Sequence, residues 1–269
     1  MTKRAVSFGI NYFGTANQLN GCINDTKDMK ELLIKVFGYK AEDILVITDA
    51  KTSQVKPSRD VILQTLKDFV AKTKAGDTLF VHYSGHGTYT KDRSMRAPVI
   101  IAPAHVKAID EPDARDEMIC PCEGEFIRDD ELYEILVKPF PKGAKLRVIF
   151  DCCHSGSGID LPLRCNDSQG IVRENDRVCD ESDIIMISGC RDDQTSADAF
   201  IGGGYKGALT WGFTKVCKNL QKSRALQVNR MTWKQLITVL RYTLRNEKYD
   251  QIAQLSAMNA AMFDKYIDL

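Results

Sequence analysis

The sequence predicts an α/β fold with a central, mostly parallel β-sheet that is flanked by helices on both faces. Short runs rich in Val, Ile and Phe alternate with amphipathic segments of helical periodicity. Strands of this composition are typical of a parallel sheet that is buried on both faces. Two of these strands also run into polar, Gly-containing segments, and ligands of such sheets bind where the strands end.

The elements follow from these patterns in chain order. Strands are expected at residues 5–10, 44–47, 78–83, 146–150 and 183–187, with another near 252–255. Helices are expected at residues 25–37, from Ser58 to Val70, at 208–216 and at 232–245. The polar or Pro- and Ala-rich stretches 88–125 and 161–182 are expected to be long loops, which in compact domains are usually functional.

Composition narrows the functional class. The 269 residues carry a net charge of +1, which gives no indication of binding to nucleic acid. No apolar run approaches the roughly 20 residues that span a bilayer, and the N-terminus lacks the pattern of a secretory signal. We therefore expect a soluble, cytoplasmic protein whose nine cysteines are reduced thiols.

A histidine and a cysteine follow the two notable strands. His86 lies in Ser-Gly-His-Gly after the third strand, and Cys153 lies in Asp-Cys-Cys-His-Ser-Gly after the fourth. If the strands are neighbours, the imidazole can take the thiol proton and return it to a leaving amine. The backbone N–H groups of Gly85 and Cys153 are candidate oxyanion donors. A cysteine or a histidine alone at a strand end is more often structural.

These segments resemble those of a known family. Residues 83–87 (Tyr-Ser-Gly-His-Gly), 151–156 (Asp-Cys-Cys-His-Ser-Gly) and 188–198 are similar to the signature segments of metacaspases, and residues 21–25 are similar to a fourth. The resemblance covers nearly the whole chain and is greatest to the type I subgroup, without that group's Pro-rich N-terminal extension. It implies one caspase-like domain over residues 1–269. A larger part, about 1–165, and a smaller part, about 180–269, would be joined by a polar loop.

The chain departs from the family pattern at two places. Two adjacent cysteines stand where the family has Ser-Cys or Ala-Cys, and alignment on the following His-Ser-Gly assigns the nucleophile to Cys153. Cys152 would then take the small-residue position and point the other way along the extended backbone. The stretch between His86 and Asp116 is also longer than usual.

The resemblance further implies a specificity and a cofactor. Metacaspases cleave after Arg or Lys, and the matching pocket residues are Asp25 and Asp151, with Cys22 and Ser84 beside them. Asp25 has a structural alternative as a helix N-terminal carboxylate. Many members need calcium, and the matching acidic positions are Asp116, Asp129, Asp130 and Asp160. Such a site, gathered from separate loops, would be weak, with Kd on the order of 10⁻⁴–10⁻³ M.

The sequence therefore predicts a calcium-stimulated cysteine endopeptidase that forms an acyl-enzyme and acts on proteins with Arg or Lys at the cleavage site, as a monomer without membrane partners. Self-processing in the polar loop is a further hypothesis, since Arg164, Arg173 and Arg177 offer basic sites. The alternatives are an inactive caspase-like scaffold, an arginine-specific peptidase resembling clostripain or gingipain, and a metal or redox protein. The last is weak, because the cysteine spacings do not match zinc or thioredoxin motifs.

Overall fold

A computed structural model describes most of the chain. The described residues are 1–91, 115–152, 158–166, 170–189, 198–201, 204–222, 230–249 and 251–269.

Within the described residues, thirteen strands form three sheets. In chain order they are β1 (Lys3–Gly9), β2 (Ile44–Thr48), β3 (Thr78–Ser84), β4 (Gly87–Lys91), β5 (Arg115–Ile119), β6 (Ile127–Arg128), β7 (Lys145–Asp151), β8 (Leu163–Asn166), β9 (Gly170–Arg173), β10 (Asp183–Ser188), β11 (Asp198–Ile201), β12 (Gly204–Gly207) and β13 (Gln254–Ala257). The helices are α1 (Cys22–Lys35), α2 (Arg59–Lys72), the short α3 (Asp129–Leu132), which continues as a π-helical turn at Tyr133–Val137, α4 (Ala208–Lys222) and α5 (Trp233–Asn246). Further 3₁₀ turns lie at Ala41–Asp43 and Ala260–Asp264.

The main sheet confirms the predicted α/β architecture. Its eight strands run in the order β2-β1-β3-β7-β10-β13-β8-β9. The pairings from β2 to β10 are all parallel, as the apolar strand composition predicted. From β10 onwards the pairings are antiparallel, so the sheet is mixed, with an antiparallel extension at one edge.

Both stretches that were expected to be loops contain strands, and the loop prediction is wrong there. In residues 88–125, β4 pairs with β5, and β5 pairs with β6. In residues 161–182, β8 and β9 form a hairpin that extends the main sheet. These strands are short and mostly polar, so they lack the apolar runs by which the central strands were recognised.

Helices cover the sheet on both faces, as predicted. On one face, α1, α4 and α5 pack through a buried cluster that includes Phe80 and Leu240. On the other face, α2 and the helical segment after β6 pack through a second cluster that includes Val81 and Leu66. Ser58 caps α2, since its hydroxyl accepts a hydrogen bond from the Val61 N–H at 3.4 Å. In the described part of the chain, no helix is both long and apolar enough to cross a membrane.

The strand order decides which sequence segments meet. β3 and β7 are direct neighbours, and Ser84 is paired in register with Asp151 at the ends of the two strands. His86 and Cys153 each follow the paired residue by two positions. The segments that carry the two candidate catalytic residues therefore leave the sheet side by side at its carboxyl edge.

Candidate active site

His86 follows a glycine that the local packing requires. A Cβ atom on Gly85 would lie 2.6 Å from the Tyr83 hydroxyl and 2.9 Å from the Tyr12 hydroxyl. No side chain fits there without moving both phenols, so Gly85 lets the chain turn closely over them. The Gly85 N–H donates a long 3.4 Å hydrogen bond to the Asp151 carbonyl, which ties this turn to the end of β7.

The two phenols fix the backbone of His86. The Tyr12 hydroxyl accepts a hydrogen bond from the His86 N–H at 2.8 Å, and the Tyr83 hydroxyl donates to the His86 carbonyl at 2.8 Å. The Cys120 N–H donates to the same carbonyl at 3.1 Å. Burial raises the pKa of both tyrosines, so their hydroxyls stay protonated and able to donate at neutral pH.

The imidazole is oriented by two further contacts. The rings of Tyr12 and His86 lie 4.7 Å apart between centroids, at an angle of 37°. Nε2 of His86 is 2.7 Å from the main-chain carbonyl oxygen of Asn17. Because a carbonyl oxygen can only accept, Nε2 carries the proton, and in the neutral ring Nδ1 is the basic nitrogen. A general base held by a third group in this way has the arrangement that activates a thiol nucleophile.

The predicted nucleophile, Cys153, lies outside the described residues, so its role and its N–H as an oxyanion donor stay predictions. Its neighbour Cys152 is fully buried and belongs to the apolar cluster on the α2 face of the sheet. The expected orientation of Cys152 away from Cys153 stays a prediction.

Three of the four predicted pocket residues meet in one buried arrangement. The Ser84 hydroxyl donates to Asp25 Oδ2 at 2.7 Å, and the Gly207 N–H lies 3.0 Å from both Asp25 oxygens. The Thr210 N–H, in the first turn of α4, donates to Asp151 Oδ2 at 2.8 Å. Cys22 is the first residue of α1, one turn before Asp25, and is also buried.

Asp25 is strongly perturbed by its surroundings. It is fully buried, and its pKa is raised well above the usual value, first by burial and then by the negative charge of Asp151. The hydrogen bonds from Ser84 and Gly207 oppose this shift. Two carboxylates held together at one sheet edge form a site whose electrostatic potential favours a cation.

The backbone of Gly207 lies close to both carboxylates. A Cβ atom there would collide with the Asp151 carboxylate and lie 2.7 Å from Asp25 Oδ2. The glycine thus lets the backbone of β12 approach both acids, which brings its N–H to Asp25 and the start of α4 to Asp151.

The four acidic residues predicted to bind calcium are not assembled into one cluster. Asp129 accepts hydrogen bonds from the N–H groups of Glu117 and Asp130, each at 2.8 Å. Asp116 lies in β5, 3.6 Å from the Arg128 guanidinium. Asp130 and Asp160 are bridged by one guanidinium, that of Arg177. Among the described residues, no three His, Cys, Asp or Glu side chains are grouped so as to hold a metal ion.

Asp160 nevertheless has the chemistry of a calcium ligand. It is 3% exposed, and its Oδ1 atom has no hydrogen-bond partner among the described residues. Burial raises the pKa of Asp160 to about 7, although Arg177 opposes the shift. Carboxylate oxygens are the donors that calcium prefers, so the donor set fits this ion, but in this arrangement a guanidinium bridges two of the acids.

Sequence reasoning missed several residues of the site. They are Tyr12, Asn17, Gly207, Thr210 and Arg177, which lie in the loop after β1, next to α4 or after β9. Asn17 contributes a main-chain carbonyl and Gly207 a main-chain N–H, and no side-chain pattern reports such groups. Tyr12 and Arg177 carried no signal except their residue type.

Comparisons with known proteins agree with the geometry. A family model described as metacaspase, peptidase C14 domain, matches residues 3–162. The chain belongs to the metacaspase family. It is 33% identical to Metacaspase-1 of Schizosaccharomyces pombe over 97% of this chain and 69% of that protein. It is 34% identical to Metacaspase-1 of Emericella nidulans over 95% of this chain and 70% of that protein.

Solved structures confirm the caspase-like fold of this metacaspase. Caspase-1 from Spodoptera frugiperda superposes with a TM-score of 0.56 at 10% identity, over 95% of this chain and 86% of that one. A protein from Geobacter sulfurreducens superposes with a TM-score of 0.66 at 23% identity, over 100% of this chain and 98% of that one. The family assignment makes the chain a member of a cysteine peptidase family.

Gly207 provides a test of the acidic site. Gly207→Ala should lower peptide cleavage about 100-fold, because the new methyl group must displace one or both carboxylates. Gly204→Ala in the same strand is the matched control, since its Cβ would meet no atom of the described residues within 4 Å, and it should keep near-normal activity. Both are compared by kcat/KM at equal folded fraction. Equal activity of the two variants would show that the close approach at Gly207 is not required.

Proposed function

We propose that this metacaspase is an endopeptidase that cleaves after Arg or Lys through the Cys153/His86 pair. The observation that carries the proposal is the placement of two buried carboxylates, Asp25 and Asp151. Asp151 ends β7, which is the neighbour of β3, the strand that leads to His86. If the side chain of a substrate Arg or Lys binds beside these carboxylates, the main-chain carbonyl of the same substrate residue would face the segment that follows Asp151.

The chemistry assigns a separate task to each group. His86 Nδ1 takes the proton of the Cys153 thiol, and the thiolate attacks the substrate carbonyl carbon. The C–N bond of the substrate then breaks, and His86 gives the proton to the leaving amine. Water hydrolyses the resulting thioester and frees the cysteine. Throughout these steps the Asn17 carbonyl holds Nε2–H, which keeps the ring in one orientation and stabilises it when it is protonated.

The predicted oxyanion donors are the N–H groups of Gly85 and Cys153. The Gly85 N–H is engaged at 3.4 Å with the Asp151 carbonyl, near the upper limit of a hydrogen bond. To serve as an oxyanion donor, Gly85 must give up this weak contact when substrate binds.

Charge is the basis of the proposed specificity. A guanidinium presents several N–H donors to paired carboxylates, and an ammonium presents three. Burial and then the charge of Asp151 raise the pKa of Asp25, and binding of either cation would offset the repulsion between the two carboxylates. A substrate aspartate would add a third carboxylate to the same buried site, so cleavage after Asp is disfavoured.

Fluorogenic peptides that differ only in the residue before the cleaved bond test this proposal. Peptides ending in Arg or Lys should be cleaved at least about 100-fold faster than those ending in Asp, which the pocket repels. Cys153→Ala should abolish cleavage, with Cys152→Ala as the matched control that retains it.

Fragments formed on storage by the wild type but not by Cys153→Ala would identify self-processing at Arg164, Arg173 or Arg177.

Two outcomes of that assay would replace the proposal. Preferred cleavage after Asp would contradict the acidic-pocket argument. No cleavage of any peptide, with or without millimolar calcium, would favour the alternative function, an inactive caspase-like scaffold.

Asp25→Asn separates binding from folding. Cleavage after Arg should fall about 10- to 100-fold, because a charged hydrogen-bond partner is lost.

The free energy of unfolding of Asp25→Asn at pH 7–8 should rise by about 1 kcal/mol or more, because a buried, repelled charge is removed. Since the raised pKa of Asp25 makes the wild type lose stability as pH increases above the ordinary carboxyl range, this gain should vanish at acidic pH. Urea denaturation across pH measures it, and a gain that is constant with pH would contradict this origin.

We also propose that calcium stimulates the enzyme through the acidic residues Asp116, Asp129, Asp130 and Asp160. Calcium bound there would neutralise their charge and join the segments around β5, α3 and β8. The support is the buried Oδ1 of Asp160, which has no hydrogen-bond partner in the part of the chain that the structure describes. The 2.8 Å hydrogen bond from the Glu117 N–H to Asp129 also links α3 to β5. This region adjoins the segment that follows the candidate nucleophile in the chain, so its ordering bears on the substrate site.

Replacing Asp129 and Asp130 together by Ala should abolish stimulation by calcium, because two of the four carboxylates are lost. Asp130→Ala alone should weaken it while leaving intact the backbone hydrogen bonds that Asp129 accepts. Asp176→Ala removes a nearby exposed charge and serves as the control. The measurement is the ratio of cleavage rates with and without calcium. An unchanged ratio in the double variant would remove these residues from the proposal.

A further inference from the structure

The acidic region of this metacaspase already contains a cation from its own chain. The Arg177 guanidinium forms ion pairs with Asp130 and with Asp160, and its Nε lies 3.2 Å from Asp160 Oδ2. Its Cζ atom lies 3.7 Å from the centroid of the Tyr133 ring, within the range of a cation–π contact. Arg177 thus occupies the space between two of the four carboxylates that were predicted to bind calcium.

The backbone holds Arg177 in this position. The Arg177 N–H donates to Asn175 Oδ1 at 3.1 Å, and the buried Asn175 side chain donates to the Asp160 carbonyl at 3.2 Å. Arg173, at the end of β9, donates to the Arg177 carbonyl at 2.8 Å. The next residue, Val178, is 78% exposed. The Arg177 side chain is therefore anchored inward, beside the buried Asn175, from an irregular segment whose residues 178–180 are exposed.

Arg177 does not satisfy all the acceptors at this place. It contacts Asp160 through Oδ2, whereas the buried Oδ1 of Asp160 has no hydrogen-bond partner in the described part of the chain. A buried carboxylate oxygen without a donor is unfavourable. A divalent cation can engage both oxygens of a carboxylate and carries twice the charge of a guanidinium. The same oxygens therefore suit two mutually exclusive cations.

We propose that Arg177 is a tethered competitor for the divalent-cation site, so that Asp130 and Asp160 must release its guanidinium before they bind calcium. This inference rests on the calcium site proposed above and adds a regulation that the four aspartates alone do not have. Release of Arg177 removes its ion pairs to Asp130 and Asp160, while Asn175 keeps its hydrogen bond to the Asp160 carbonyl. Cation binding and exposure of the Arg177 side chain are therefore coupled. If the Arg-bound form is favoured about tenfold, the apparent calcium affinity is lowered by about the same factor.

Cation binding to Cys153→Ala protein, which cannot process itself, tests the proposal directly. Calcium is titrated calorimetrically, and Tb³⁺ is titrated by its luminescence, which Tyr133 should sensitise because it lies beside the site. Arg177→Gln should bind both ions about tenfold more tightly, since it removes the competitor and keeps a side chain of similar length. Arg173→Gln is the matched control, because Arg173 contacts this segment without touching the carboxylates, and it should change the affinity little.

The outcomes separate this inference from the calcium proposal. Tighter binding in Arg177→Gln supports it, including the case in which the wild type binds too weakly to measure. Equal binding by both proteins overturns the role of Arg177 and leaves the calcium site in place. Absence of binding in both proteins overturns the two proposals together.

A measurement with residue 177 unchanged guards against misfolding of the variant. In Cys153→Ala protein, calcium should accelerate trypsin cleavage after Arg177, whereas magnesium should not. The rate is taken relative to a small trypsin substrate in the same mixture, which removes any effect of calcium on trypsin itself. The same relative rate with and without calcium would contradict the release of Arg177.

Discussion

The burial of two carboxylates beside Gly207 is the constraint on which the rest of the site depends. Asp25 and Asp151 come from different elements, α1 and β7. Their like charges repel each other because both carboxylates are buried away from solvent. The fold accommodates them with donors: the hydroxyl of Ser84, the N–H of Gly207 and the N–H of Thr210 at the start of α4. Each donor is positioned by the order of the strands and by a glycine that permits close approach. The arrangement sacrifices stability for a site that attracts a cation.

A second set of interactions fixes the imidazole independently of that pair. The hydroxyls of Tyr12 and Tyr83 lie 3.0 Å apart beneath His86 and hold its main chain on both sides. The carbonyl of Asn17 then sets the protonated nitrogen of the ring. The imidazole is thus held by main-chain groups and protonated phenols, and its contacts with Tyr12 and Asn17 do not involve Asp25 or Asp151.

The sequence predicted the parts of the fold that bury apolar surface. The five parallel strands and the four longer helices were predicted at the right places, although α4 runs to Lys222, beyond its predicted end at residue 216. Their periodicity reflects burial on one or both faces. The hairpin of β8 and β9 and the small sheet of β4, β5 and β6 were missed, because their strands are polar and are defined by pairing rather than by burial.

The candidate site shows the same limit. Ser84, Asp25 and Asp151 were predicted as one pocket, and they do meet, because motif residues at strand ends converge whenever those strands are neighbours. Gly207 and Asn17 act through their backbone, which a pattern of side chains cannot report. The pairing of Arg177 with Asp130 and Asp160 joins residues 47 and 17 positions apart, and it follows from the β8–β9 hairpin that the sequence did not predict.

The antiparallel edge of the main sheet has a mechanical consequence. β10 from the C-terminal part lies between β7 and β13, while β8 from the N-terminal part pairs with β13 from the C-terminal part. The two parts of the chain are therefore interleaved within one sheet instead of lying as separate blocks. Cleavage of the backbone between β9 and β10 would leave two fragments that are held together by the hydrogen bonds between these strands. The fragments could not separate without unfolding. Hydrolysis between β9 and β10 would therefore give the new chain ends more mobility while the two fragments stay associated.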